Sequence, residues 1–289
     1  MQKTLIAGVC MLFALSSHAQ DVATEVSVTE AAPGVYMLGG ANGFSSSMAL
    51  IVGDEKVVLI DDGMAPITAD LVATVDELAG RSIDFVVNTH VHGDHVGSNA
   101  SLADDGAVIF AHHNLRERLV EDPGPAGGPG GLPVVTFGDG VHFHLNNEEV
   151  HVFHVKNAHT DGDAAVHLMG SNVIVAGDLH FNYMFPFIDL DSGGTVSGFI
   201  AGMEKIIKMA DDDTIIIPGH GELAGKRDLQ AAVDMLADAE DRVTALVLEG
   251  MSADEVVAAN PLAVYHDTWN WGFITTERMT RTIYRSLTE

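Results

Sequence analysis

Short apolar, β-branched runs recur along this 289-residue chain. The first half holds "VYML" 35–38, "MALIV" 48–52, "VVLID" 57–61, "IDFVVNT" 83–89 and "AVIFA" 107–111. The second half holds "VHVFHV" 150–155, "AAVHL" 164–168, "NVIVAG" 172–177 and "TIIIPG" 214–219. Turn residues and helical-period segments near 66–79, 112–120, 196–210 and 226–249 separate them. Strands in both halves with helices between predict two sheets packed together and covered by helices. His142 and His144 alternate with Val141, Phe143 and Leu145, which reads as the solvent face of a half-buried strand. His151 and His154 lie near them in sequence, so composition admits a second metal site there. The stretch "EDPGPAGGPGG", 121–131, forbids regular structure and reads as a mobile surface loop or flap rather than a linker, because strand patterning continues on both sides. Beyond Gly225 the pattern is mainly helical and includes "TWNWGF" 268–273, whose two tryptophans are expected to pack helices onto the core.

The N-terminus departs from this pattern. Lys3 precedes the apolar run "LIAGVCMLFAL", and "SHA" at 17–19 places small residues where a signal peptidase reads them. Residues 1–19 are therefore expected to be a secretory leader, cleaved after Ala19. Residues 20–289 are expected to form one domain with a helical C-terminal segment from about 226. Eleven apolar residues are too few to span a bilayer. Cys10, the only cysteine, falls in the leader, so the mature chain would lack disulfides and thiolate ligands. Cleavage removes Lys3 and no acid, moving the formal charge from −27 to −28. Such a chain does not bind nucleic acid or an anionic membrane through its general field.

The polar residues carry the chemistry. Four apolar runs end in a metal-capable residue: "IDFVVNT" leads to His90, "VHVFHVKNA" to His159, "NVIVAG" to Asp178 and "TIIIPG" to His220. Ligands at strand ends converge on one sheet edge while the strands fix their spacing. In "THVHGDHVG", 89–97, His90 and His92 sit two apart in an extended segment and point the same way. Gly93 permits a sharp turn, so Asp94 and His95 aim at a second point. His159 would complete a site with His90 and His92, His220 would join Asp94 and His95, and Asp178 has an oxygen for each. Imidazole and carboxylate suit zinc, iron or manganese. Two divalent ions, two aspartates and a bridging hydroxide leave about +1, which favours an anionic transition state.

The set "THVHGDHVG", "AHTDGD" 158–163, "AGDLHF" 176–181 and "PGHG" 218–221 resembles the metallo-β-lactamase superfamily in order and spacing, from about Val35 to Gly225. The resemblance implies an α/β fold, an αββα sandwich of two mixed sheets flanked by helices, with a dinuclear site, usually zinc, at one edge. It also implies those ligand roles for His90, His92, Asp94, His95, His159, Asp178 and His220. It places Asp61 beneath the metals, orienting a ligand histidine. Lactamase subclasses with a cysteine at the second metal carry it where this chain has Asp178, and the lysine that many of them use falls at Phe181. Aspartate there is the pattern of the glyoxalase, lactonase and general hydrolase branches.

The expected protein is thus an exported dinuclear-zinc hydrolase of small carbonyl compounds, opening an ester, lactone or amide by attack of a bridging hydroxide. Asp94 anchors the second metal and orients that hydroxide, and His180, two residues past Asp178, is a candidate pocket residue. The segment "FNYMFPF", 181–187, lacks a cation, so an apolar wall and a preference for lactones or uncharged esters are expected. The alternatives are a β-lactamase and, from another class, a metal-binding or sensing module without turnover. Intact mass of the protein released by its native host is expected to begin at Gln20; retention of residues 1–19 contradicts the leader.

Overall fold

The computed structural model describes residues 24–40 and 45–289, so the expected leader and Cys10 lie outside the described residues. The first half runs β1 (Val26–Ala32), β2 (Val35–Gly40), β3 (Ser47–Val52), β4 (Val57–Ile60), α1 (Thr68–Ala79), β5 (Phe85–Val87), α2 (Gly93–Val96), α3 (Asn99–Asp104), β6 (Val108–His112), α4 (His113–Glu121) and β7 (Val135–Phe137). These seven strands lie side by side in chain order, antiparallel from β1 to β4 and parallel from β4 to β7. The second half continues with β8 (Gly140–Leu145), β9 (Glu148–His154), β10 (Ala164–Leu168), β11 (Val173–Phe181), α5 (Val196–Met209), β12 (Ile215–His220) and β13 (Ala224–Gly225). Its six strands also follow chain order, antiparallel except for the parallel β11–β12 pair. Four helices close the chain: α6 (Lys226–Leu248), α7 (Ala253–Ala259), α8 (His266–Trp269) and α9 (Thr276–Thr288).

The apolar runs are continuous in the central strands because both faces are covered there. In β3, Ala49 and Ile51 face the other sheet, meeting Val150, Val152, Val166 and Val175. Leu50 points the opposite way and packs with Leu59, Val86, and Leu71 and Val75 of α1. The second sheet repeats this arrangement. Phe153, Ala165, Ile174 and Ile216 turn outward onto α5, α6 and α9, where they meet Phe199, Met203, Leu236 and Ile283. The layers are α, β, β, α. No described helix is long and apolar enough to cross a membrane.

Three features differ from the sequence reading. Strand β1 alternates Val26 and Val28 with Ser27 and Thr29 only briefly, and of its residues only Ala31 is buried, because the strand lies at a sheet edge with its face in water. Asp178 lies inside β11, and the pairing with β12 shifts register on either side of it. The glycine- and proline-rich stretch is a largely exposed surface loop, as expected, but two of its residues, Ala126 and Gly131, are packed against the domain. Ala126 is fully buried with Val96, Leu115 and Leu119, and the Asn99 amide donates to Gly131 O at 3.0 Å.

A side chain at Gly131 would put its Cβ 1.9 Å from Ala126 O. Gly131→Ala is therefore expected to cost about 1–3 kcal/mol, as overpacking does. It should appear as a lower denaturant midpoint at unchanged slope. A variant as stable as the parent would mean the turn is loose after all.

Candidate metal centre

The site begins with Asp61, the residue after β4, held at φ +59°, a left-handed conformation unusual for a residue with a side chain. There its carboxylate accepts from Thr89 N and Thr89 Oγ1, both at 2.7 Å, and from His95 Nδ1 at 2.8 Å. Asp61 thereby fixes the chain leaving β5 and turns His95 Nε2 away from itself. His92 caps the short helix α2, which carries Asp94 and His95. The reversal comes from this helical turn. Gly93 is not at positive φ, and a Cβ there would meet nothing nearer than 4.0 Å, so the expected sharp glycine turn is absent.

The seven side chains named from the sequence come together in two groups. Donor atoms of His90, His92, His159 and Asp178 lie within 4.8 Å of one another, as do those of Asp94, His95 and His220. His92 Nδ1 is 3.1 Å from His90 Nε2 and 2.9 Å from His159 Nε2. Asp178 stands between the groups. Its Oδ2 is 3.7 Å from His90 Nε2 and 3.5 Å from His159 Nε2, and its Oδ1 is 3.1 Å from His95 Nε2 and 3.4 Å from His220 Nε2. Asp94 Oδ2 closes the second group, 3.4 Å from His220 Nε2. Four of the five imidazoles are aimed by the nitrogen they do not offer: besides His95 on Asp61, His90 Nδ1 meets Thr89 Oγ1 at 3.1 Å, His92 Nε2 meets Asp189 Oδ2 at 3.0 Å, and His159 Nδ1 meets Phe187 O at 2.8 Å.

Burial and charge divide the groups. Burial lowers the pKa of His90 well below the usual value, and lowers that of His159 to about 4. For His95 and His220 burial works the same way, but the carboxylates of Asp178 and its neighbours outweigh it. His95 rises well above the ordinary value and His220 rises to about 9. Asp178 is itself buried, yet the imidazoles around it hold its pKa well below normal.

The donors fit divalent ions. His95 Nε2 and Asp178 Oδ1 are both buried and, although 3.1 Å apart, are not aligned to hydrogen-bond, a costly arrangement unless something else satisfies them. Five imidazoles and two carboxylates without a thiolate suit zinc, iron or manganese. Among the described residues only these two groups bring three donor-bearing residues together. Other histidines form stacks instead, the exposed His142 on His151 and the buried His112 on His154.

A cleft of about 530 Å³ opens onto the donors. Aromatic rings wall it in sequence. Phe187 lies 5.5 Å from the His92 ring and 5.5 Å from Phe273; Trp271 lies 5.6 Å from Phe273; Phe181 stacks on His220 at 4.9 Å. Trp269 is buried in the core, as expected, but Trp271 lines the cleft, pinned by its indole N–H donating to Phe185 O at 2.9 Å. His180 does not line this cleft. It is fully buried with neither ring nitrogen bonded, and burial lowers its pKa to about 4 despite the opposing charge of Asp228.

Sequence reasoning missed Asp189, the Phe187 carbonyl and Asp163. Asp163 accepts from His159 N at 2.6 Å and from Thr160 Oγ1 at 2.5 Å, clamping the turn that carries His159. Burial pushes its carboxyl up to about 8 against those donors. Its place in "AHTDGD" was the available signal.

Fold and site together define an αββα sandwich with a histidine–aspartate metal centre at one edge. A family model described as the metallo-beta-lactamase superfamily matches residues 41–220. The chain belongs to that superfamily, whose members are hydrolases. It is 24% identical over 193 residues to a "Metallo-beta-lactamase type 2" of Bacillus cereus, covering 66% of this chain and 73% of that one. It is 28% identical over 159 residues to a "Hydroxyacylglutathione hydrolase" of a Polaromonas species, covering 54% and 55%. A solved "Metallo-beta-lactamase from Pontibacter korlensis" superposes with a TM-score of 0.65 at 17% identity, over 74% of this chain and 100% of the other.

Asp61→Asn keeps the size and tolerates the left-handed backbone, but it presents an amide N–H where a carboxylate oxygen now accepts. Zinc affinity at the Asp94–His95–His220 group is expected to fall about 10- to 100-fold, read by competition with a chromogenic chelator. Unchanged affinity would show that Asp61 does not aim His95.

Proposed function

We propose that this chain is an exported dinuclear zinc hydrolase that opens an ester, lactone or amide carbonyl of a small molecule. The observation that carries this reading is Asp178, one oxygen toward each donor group, which makes the groups one centre rather than two. His90, His92 and His159 would hold one ion, Asp94, His95 and His220 the other, and Asp178 both. Two ions there supply Lewis acidity and lower the pKa of water enough for attack at neutral pH.

The remaining steps belong to the protein. Asp94, partly exposed to the cleft, orients the attacking water. Asp61, Asp189 and the Phe187 carbonyl keep the imidazoles in place. The aromatic wall holds the apolar part of the substrate and excludes bulk water. No side chain is needed as nucleophile, in keeping with a chain whose one cysteine is Cys10.

A second reading, β-lactam hydrolysis, is favoured by the likeness to the Bacillus cereus protein. Against it, Phe181 faces the cleft where many cysteine-type lactamases carry a lysine, and no lysine or arginine lies among the lining residues. A metal-binding module without turnover is disfavoured by the open cleft beside both groups.

Purified protein is expected to carry about two zinc ions per chain by elemental analysis, the stoichiometry of a bridged site. Asp178→Ala should weaken the Asp94–His95–His220 group more, since three imidazoles remain at the other. Iron in place of zinc, or full activity with one ion, contradicts the assignment. On the zinc-loaded enzyme, lactones or aryl esters should exceed a chromogenic cephalosporin in kcat/KM. A tenfold lead for the cephalosporin, about 1.4 kcal/mol of transition-state binding, makes the protein a β-lactamase instead.

A further inference from the structure

Helix α9 carries three arginines, and two of them are spent on carboxylates. Arg281 pairs with Asp254 and Glu277, and Arg285 pairs with Asp191 and Glu289. Arg278, one turn nearer the cleft, forms no ion pair among the described residues, in a chain with 41 acids against 14 lysines and arginines. Its guanidinium carbon sits 4.2 Å from the centre of the Phe273 ring and 5.2 Å from that of Phe187, and both rings line the cleft. Its Nη1 donates to Phe273 O at 3.0 Å. A guanidinium has five N–H donors in a flat fork, so the rings and this one bond set its plane while most of its donors lack a protein acceptor. The Phe187 ring that Arg278 covers lies 5.5 Å from the ring of His92. One aromatic ring therefore separates the cation from the metal centre.

We propose that Arg278 recognises a carboxylate carried by the substrate on the far side of an apolar spacer from the scissile carbonyl. Guanidinium matches carboxylate geometry bidentately, and stacking on two rings partly desolvates it, which strengthens such a pair. The substrate class that fits is an ester or lactone with a remote carboxylate, not one with the acid directly beside the carbonyl. The anchoring cation comes from α9, so the uncharged run 181–187 provides only the wall. This inference rests on the hydrolase reading above. The competing account is that Arg278 only props up Phe273, and that account predicts equal losses for charged and neutral substrates.

Two esters of equal chain length separate the accounts: 4-nitrophenyl hexanoate and the mono-4-nitrophenyl ester of adipic acid. In each, water adds to the acyl carbon, the acyl C–O bond breaks, and 4-nitrophenol and the acid are released. On zinc-loaded wild type the adipate ester should be preferred. Arg278→Gln should lower the adipate-to-hexanoate ratio of kcat/KM at least tenfold, through KM rather than kcat, and Arg278→Lys should keep part of it. A readout independent of turnover is quenching of Trp271 fluorescence by free adipate, which should need at least tenfold more adipate in Arg278→Gln. If wild type hydrolyses neither ester, the hydrolase reading fails, and the adipate titration still decides the role of Arg278. An unchanged ester ratio, or unchanged adipate titration, overturns the proposal while leaving the hydrolase reading standing.

Discussion

One carboxylate sets the terms for the rest of the molecule. Asp178 is buried between imidazoles of two groups, one oxygen facing each. A lone carboxylate in such a place is too costly to keep charged, and here opposite charge and donors answer the cost. Its position must be reproduced closely, and β11 achieves this by its break in register at Gly177. Gly177 has φ +52°, and a Cβ there would fall 2.6 Å from Thr89 Oγ1. That threonine is in turn held by Asp61, itself at an unusual backbone angle. The two sheets are thus joined at the edge where the donors gather.

Much of this was legible in the chain. The strands β3, β4 and β10 to β12 read plainly because both faces are covered, so most residues are apolar, and β9 read from its central Val150, Val152 and Phe153. Helices α1, α4, α5 and α6 read from their period. The donors were legible because chemistry restricts residue type: His90, His92, His159 and His220 each stand at a strand end or in a strand connection, where a polar residue breaks an apolar run. Strand β1 was hidden by the opposite circumstance, an edge position with little to bury. The packing of Ala126 and Gly131 in the loop 121–131 was hidden because glycine and proline report what the backbone is allowed to do, not what it touches.

The substrate side of the cleft was harder to read, for a physical reason. Metal donors come from strand ends fixed in order, but the wall is assembled from segments distant in sequence. Phe181 ends β11 and Phe187 comes from the connection after it, whereas Trp271 and Phe273 come from the segment before α9. Trp271 was read as core because two aromatics two apart usually are, and only Trp269 obeys that rule. The hydrogen bond from Trp271 to Phe185 O joins the two segments, and Arg278 of α9 lies over Phe187 and Phe273 of the cleft. The metal donors thus follow the superfamily pattern, and on the proposed reading selectivity would come from the C-terminal segment.

The central claim is that Asp178 makes two donor groups into one dinuclear centre. Anomalous diffraction at the zinc edge, on crystals of zinc-loaded protein, tests it most directly. Two peaks are predicted, one on each side of the Asp178 carboxylate, the first among His90, His92 and His159 and the second among Asp94, His95 and His220. A single peak, or a second peak away from Asp178, would contradict the account.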